Sequence, residues 1–363
     1  MKLSAYATGR DNNFILVRFL AAFAVLWSHS YAIVLGPQNH EPWVRWLGYT
    51  PAGMAVDVFF VTSGFLVTAS LLRLDDFKAF VRARALRIFP ALVVMSLLLA
   101  FVLGPAFTTL TMPDYFAHSD TWKFIVKNST ILTGVKFKLP GVFADNPMGA
   151  AANGSLWTLP FELRCYLLLA LAWWLASFAK SAHVRAFVRI VVVGTALMLA
   201  GFWYAHATGY KHWHTFRLIY MFFVGAAFWI FRDRIPMRTS IALALAVPLV
   251  VAIAVPKYFF WVYPVVVAYL VLWFAYVPGG WLRGFNKLGD YSYGIYIYAF
   301  PVQQALWAAV PSITPMQMFA AATVLTIPLA VGSWHLVEKP MLARKATKAE
   351  TGKREPGNGR THG

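Results

Sequence analysis

Long apolar runs alternate with short polar and basic stretches along nearly the whole chain of 363 residues. Ten runs read as helices: residues 14–34, 52–72, 88–107, 155–176, 190–207, 215–231, 239–255, 259–277, 290–310 and 316–336. Most hold about 17–21 apolar-dominated residues, enough to cross a hydrocarbon layer of about 30 Å with some tilt. The weakest are 239–255, which is short, and 290–310, which carries Gln303 and Gln304. No ten-residue alternation of the kind found in membrane barrels is present. The pattern therefore predicts an all-α, polytopic membrane protein of about ten transmembrane helices. Phe14 begins a full-length run with no small-residue cleavage site after it, so this run reads as a span and not as a cleaved signal.

Composition agrees with that class. Hydrophobic residues make up 60% and charged residues 13%, whereas a soluble protein carries roughly a quarter charged residues. The net charge of +18 raises the question of nucleic acid, but the basic residues sit between the apolar runs, where topology signals belong. If the spans alternate from a cytoplasmic N-terminus, 22 Lys and Arg fall on that side and 7 on the other, leaving Arg18, Arg164 and Arg217 within spans. This excess predicts cytoplasmic N- and C-termini, no nucleic-acid partner, and the cell's inner (plasma) membrane as the site. Residues 1–344 read as one membrane domain and 345–363 as a disordered basic cytoplasmic tail. The outer segment 108–154, with a short helix around Trp122 to Leu132, has the length of a functional loop. Cys165 is the single cysteine, so no internal disulfide forms.

The first span carries Arg18 and His29, 11 residues apart. Three helical turns take about 10.8 residues, so both lie on one face, roughly 16 Å apart along the axis. Charges inside a span are costly unless they face a polar interior. Asp57, Glu162 and Arg164 fall at about the depth of His29 on the second and fourth spans, and the four groups are expected to face one another. His29 then suits a base or an acyl-carrying nucleophile. Asp57 or Glu162 is expected to fix its tautomer. At the other end, FVRARALRIFP brings Arg82, Arg84 and Arg87 toward Arg18. Such converging guanidiniums suit a phosphate-bearing ligand. Ser63 in the Ser-Gly break of span two reads first as a packing feature, while Ser292 and Tyr293 in YSYGIYIY can line a pocket. His335 and Glu338-Lys339-Pro340 read as a helix stop with snorkelling charges, and the remaining histidines, His212 and His214 among them, as loop residues. No metal spacing, Walker motif, Rossmann glycine pattern or nucleophile elbow appears.

Six motifs occur in an order that resembles the acyltransferase-3 family over residues 12–344. They are Arg18-x10-His29, DVFFVTSGFL at 57–66, RALRIFP at 84–90, SLWTLPFEL at 155–163, YSYGIYIY at 291–298 and VEKP at 337–340. The resemblance implies about ten spans and O-acylation, mostly O-acetylation, of carbohydrates such as lipopolysaccharide O-antigen, exopolysaccharide and Nod factors. It implies that His29 is the essential histidine, Arg18 its basic partner, and Arg84 and Arg87 the pair associated with acyl-CoA. Asp57 and Glu162 match the family's acidic positions. Many members place a His-x-Pro after the tyrosine stretch; here the chain reads Tyr298-Ala299-Phe300-Pro301, so no histidine is carried over there.

The expected function is therefore transfer of an acyl group, acetyl first, from acyl-CoA to a hydroxyl of a cell-surface or lipid-linked carbohydrate. His29, Asp57 and Glu162 would be catalytic, and Arg18, Arg82, Arg84 and Arg87 would hold the donor. Arg164, Ser63 and Tyr293 would lie near the substrate, with no metal involved. A proton-coupled transporter or glycan-lipid flippase is the alternative, since buried ionisable groups also serve proton relays.

Overall fold

The structure, a computed structural model, describes residues 1–9, 11–36, 41–74 and 77–344; the tail predicted at 345–363 lies outside them. Ten long helices occupy the ten apolar runs: α1 (Phe14–Leu35), α2 (Pro51–Leu74), α3 (Phe77–Leu98), α4 (Leu159–Ser177), α5 (His183–Thr208), α6 (Trp213–Ile230), α7 (Thr239–Ala254), α8 (Phe259–Tyr276), α9 (Ser292–Ala309) and α10 (Pro315–Ser333). Eight of these are long and apolar enough to cross a membrane. The other two are α7, with 16 residues, and α9, the two runs weakest in the sequence. Gln303 and Gln304 on α9 are fully buried inside the protein. Gln303 donates to the Leu26 carbonyl (2.8 Å), and Gln304 accepts from Asn146 (2.8 Å) and donates to Ala151 O (2.8 Å). Amides satisfied in this way can sit at membrane depth.

Three helices run further than expected, among them α5, which starts at His183, seven residues before the predicted 190. α3 starts at Phe77, eleven residues before the predicted 88, and continues through a π-turn at Leu99–Leu103 to Phe107. α10 passes through another π-turn at Trp334–Glu338 and stays helical to Arg344, so VEKP is no helix stop. The loop helix expected near Trp122 is Ser119–Thr130, preceded by Met112–Ala117.

The connections gather on two faces. On the terminal face, the N-terminal segment is stitched to the α6–α7 connection by Leu3 N–H to Ile235 O and Met237 N–H to Met1 O (both 2.9 Å). Arg82 at the start of α3 donates to Arg344 O (3.3 Å), at the end of α10. On the opposite, loop face, Trp46 donates to the Ile253 carbonyl (2.7 Å) and the 108–154 segment folds over α9.

The tightest seam joins α2 and α6. A Cβ on Gly64 would lie 1.8 Å from the Phe222 carbonyl oxygen, and one on Gly225 would lie 2.2 Å from that of Val61. The two backbones touch because neither glycine carries a side chain, the usual device where lipid supplies no hydrophobic drive between helices. Gly64→Ala forces the seam apart, and overpacking of this kind costs about 1–3 kcal/mol. The expected outcome is a lower melting temperature and a smaller monodisperse peak on size-exclusion chromatography in detergent.

Candidate functional site

Two cavities lie end to end along α1. The first, near the terminal face, has a volume of about 130 Å³ and is lined by Arg18, Arg84, Arg87, Ser63, Glu162, Tyr166 and Tyr293 among others. The second, about 380 Å³ and nearer the loop face, is lined by His29, Glu41, Tyr49, Trp157, Trp213, His214 and Arg217. Among the described residues, Val56 and Tyr296 alone line both. Tyr296 is fixed in place: its hydroxyl donates to Ser155 O (2.7 Å) and accepts from Thr158 (2.6 Å).

In the first cavity, Arg18 and Arg87 converge on one oxygen of Asp290, at 2.8 and 2.6 Å. Arg87 also reaches Glu338 (3.4 Å), which is 2% exposed and accepts from Ser333 (3.0 Å). The snorkelling expected of Glu338 is therefore replaced by a buried pairing, because α10 continues and carries its side chain inward. Arg84 differs from its neighbours. It forms no ion pair or hydrogen bond among the described residues, and its Nε is buried. Across from it, Ser63 donates to Glu162 (3.3 Å), and Tyr166 donates to the same carboxylate. Ser63 thus does more than pack. Tyr293 donates to Ile88 O (3.0 Å) and lies beneath the Arg87 guanidinium at 5.7 Å.

The three expected neighbours of His29, Asp57, Glu162 and Arg164, are not assembled around it, and Arg82 is not in the arginine cavity. Glu162 lines the arginine cavity instead, because the chain is already inside the bundle before α4 begins. Asn153 and Ser155 are buried in a 3-10 turn at Gly154–Thr158, and Asn153 donates to Ile297 O (2.8 Å). That lead-in carries Glu162 deeper than a helix starting at the surface would. Arg164 follows Glu162 by two residues, about 200° around the helix, and is exposed with its guanidinium 5.1 Å from the Phe161 ring centroid. Arg82 precedes Arg84 by the same angle and points out of the cavity. Asp57 pairs with Arg217 (3.3 Å) and accepts from Tyr49 (2.5 Å) and Tyr263 (3.1 Å), all buried. Arg217 in turn donates to Tyr49 (2.5 Å).

His29 itself meets the edge of Phe300, ring centroids 5.3 Å apart, and its Nδ1 is buried with no hydrogen-bond partner among the described residues. No carboxylate fixes its tautomer there. Glu41, by contrast, shares its cavity, and His214 sits in the first turn of α6 beside Trp213, not in a loop. Sequence reasoning missed Asp290, Glu338, Glu41, Tyr166 and the Arg217 network. Arg217 carried the clearest signal: an arginine inside a span requires an acidic partner.

The Asp57–Arg217 pair makes a stability prediction. Asp57→Asn or Arg217→Met alone leaves one buried charge unpaired and costs about 3–5 kcal/mol, whereas the double change costs less than either. Unfolding in detergent, followed over all four corners of the cycle, checks this.

Comparison with known proteins agrees with the motif order. A family model described as an acyltransferase domain matches residues 11–335. The chain is 32% identical over 350 residues to a protein named O-acetyl transferase from Shigella phage Sf6, covering 93% of this chain and 98% of that one. It is 28% identical over a 364-residue alignment to Nodulation protein 10 of Rhizobium leguminosarum bv. viciae, covering 93% and 95%. No solved structure matches it significantly. With a family match across almost the whole membrane domain, the chain belongs to the acyltransferase-3 family and is a multi-pass membrane acyltransferase.

Proposed function

We propose that the protein transfers an acyl group, acetyl by the name of its phage relative, from acyl-CoA to a hydroxyl of a cell-surface or lipid-linked carbohydrate at the inner membrane. The polysaccharide, O-antigen or similar glycan would be met on the loop face and the donor on the cytoplasmic, terminal face. The observation that carries this reading is the end-to-end pair of cavities, arginines in one and, in the other, a histidine whose Nδ1 has no partner among the described residues, with Val56 and Tyr296 lining both.

Arg84, which has no partner among the described residues, takes a CoA phosphate; such a guanidinium offers its fork to a phosphate oxygen. Asp290 fixes Arg18 and Arg87 beside it, so the positive cluster is held in shape before the ligand arrives. The pantetheine arm then extends along α1 toward His29, over the roughly 16 Å that three helical turns span. At His29 the acceptor oxygen attacks the thioester carbonyl while the imidazole takes the hydroxyl proton. The C–S bond breaks on collapse of the tetrahedral adduct, and the proton passes to the departing CoA thiolate. If the imidazole is itself acylated first, its nitrogen attacks the thioester carbonyl and the CoA thiolate leaves; the acceptor hydroxyl then attacks the acyl-imidazole, the N–C bond breaks and the hydroxyl proton passes to the released imidazole.

A transporter would not need an unpaired arginine at one mouth, and CoA would not stabilise it. The test uses purified full-length protein. CoA is expected to raise the melting temperature of wild type and His29→Ala alike, by binding the folded state. His29→Ala is expected to lose acetylation of surface glycan, read by mass spectrometry of the released polysaccharide from a complemented deletion strain. Arg84→Ala is expected to raise the KM for acetyl-CoA about tenfold, the loss of one charge-assisted contact. Normal glycan acetylation by a normally expressed His29→Ala protein would overturn the reading.

A further inference from the structure

The second cavity holds more than a histidine. Glu41 caps the short helix Pro42–Leu47 and is 4% exposed, so its carboxylate is held inside the protein. Oε2 accepts from Ser28, the residue before His29, at 2.5 Å. Oε1 is buried and has no partner among the described residues. Burial raises this carboxyl above the usual range, with the Ser28 hydrogen bond pulling the other way. The other carboxylate nearby is spoken for: Asp57 is engaged by Arg217, Tyr49 and Tyr263. Glu41 therefore supplies an acceptor oxygen to the cavity with nothing among the described residues to satisfy it, and a buried unsatisfied acceptor costs about 1–3 kcal/mol until a donor arrives.

The opposite requirement comes from the rings. Trp157, His214 and Trp213 line the same cavity in a row, with centroids 5.6 Å apart between Trp157 and His214 and 3.9 Å between His214 and Trp213. All three are partly exposed; Trp157 meets His214 edge to face, at 68°, and His214 packs on Trp213 at a tilt of 31°. An aromatic wall of angled rings beside a lone carboxylate oxygen fits a molecule with both C–H surface and hydroxyl donors. Phosphate is disfavoured by the Glu41 charge, and an alkyl chain leaves Oε1 unpaired. The cavity, about 380 Å³, falls within the roughly 300–1,000 Å³ of small-molecule sites.

We propose that this cavity is the acceptor subsite, in which a neutral pyranose ring lies against Trp157 and His214, gives hydroxyl hydrogens to Glu41, and offers one further hydroxyl to His29. This rests on the acyl-CoA reading above and adds the residues that recognise the sugar.

The test measures thiol release from acetyl-CoA by the purified full-length protein, with methyl glucoside, methyl galactoside and methyl rhamnoside as acceptors, and acetylated glycoside by mass spectrometry. At least one glycoside is expected to accelerate thiol release in a saturable way. Glu41→Gln is expected to raise that glycoside's KM about tenfold, equivalent to about 1.4 kcal/mol, and to leave the KM for acetyl-CoA and thermal stabilisation by CoA unchanged. Trp157→Leu is expected to act in the same direction, and guards against a Glu41 variant that fails to fold. An unchanged glycoside KM in either variant that CoA still stabilises overturns the inference. So does thioester cleavage by water with no saturable effect of any glycoside. If wild type neither cleaves acetyl-CoA nor is stabilised by CoA, the acyl-CoA reading fails and the subsite falls with it.

Discussion

One carboxylate oxygen sets the architecture of the arginine cavity. Asp290 Oδ2 receives guanidiniums from α1 and α3 within 2.8 Å, while Glu338 on α10 takes the remaining reach of Arg87. Three helices and the α8–α9 connection are thereby tied by charge in a region where lipid gives helices no hydrophobic reason to associate. Removing Asp290 would leave two cations facing each other, and much of the cost of burying an ion pair lies in such broken halves. The arrangement also leaves Arg84 unclaimed. A cluster of three arginines and two structural acids therefore presents one free guanidinium, with the others serving as its frame.

The second network, Asp57 with Arg217, Tyr49 and Tyr263, does similar work around the other cavity but ends with no free cation. Its tyrosines both donate to Asp57 Oδ2, while Arg217 pairs with Oδ1 and lies over the Trp213 ring at 5.0 Å. It fixes the wall on which Trp213 and His214 stand. Structural acids and site acids are thus distinguished by whether a cation claims them. Asp57 and Asp290 are ion-paired with arginine; Glu41 has no cationic partner among the described residues.

Much of this was legible in the chain. Apolar run length placed the ten helices to within a few residues, save for the early starts of α3 and α5 and the long end of α10. The 3.6-residue period put Arg18 and His29 on one face, and that face does run past both cavities. What failed was depth. Reading Glu162 beside His29 assumed that α4 begins at the membrane surface, whereas Asn153 and Ser155 already lie inside the bundle. No local pattern marks a 3-10 turn that dives inward. Glu338 was misread for a related reason: a Lys-Pro after an acid looks like a helix end, yet a π-turn lets α10 continue and turns the acid inward. Asp290 had no periodicity to reveal it, since it precedes its helix and acts across the bundle.

The partition made by Val56 and Tyr296 has an electrical consequence. A bilayer normally spreads its voltage across about 30 Å of hydrocarbon. With water in both cavities, the insulating layer along this path thins toward the boundary that Val56 and Tyr296 share, the latter pinned at its hydroxyl by Ser155 and Thr158. The potential is then concentrated there, and moving one elementary charge through the whole drop is worth about 2.3 kcal/mol per 100 mV. Tyr296 therefore stands where an uncharged group can pass without electrical cost, while protons and ions meet a focused field.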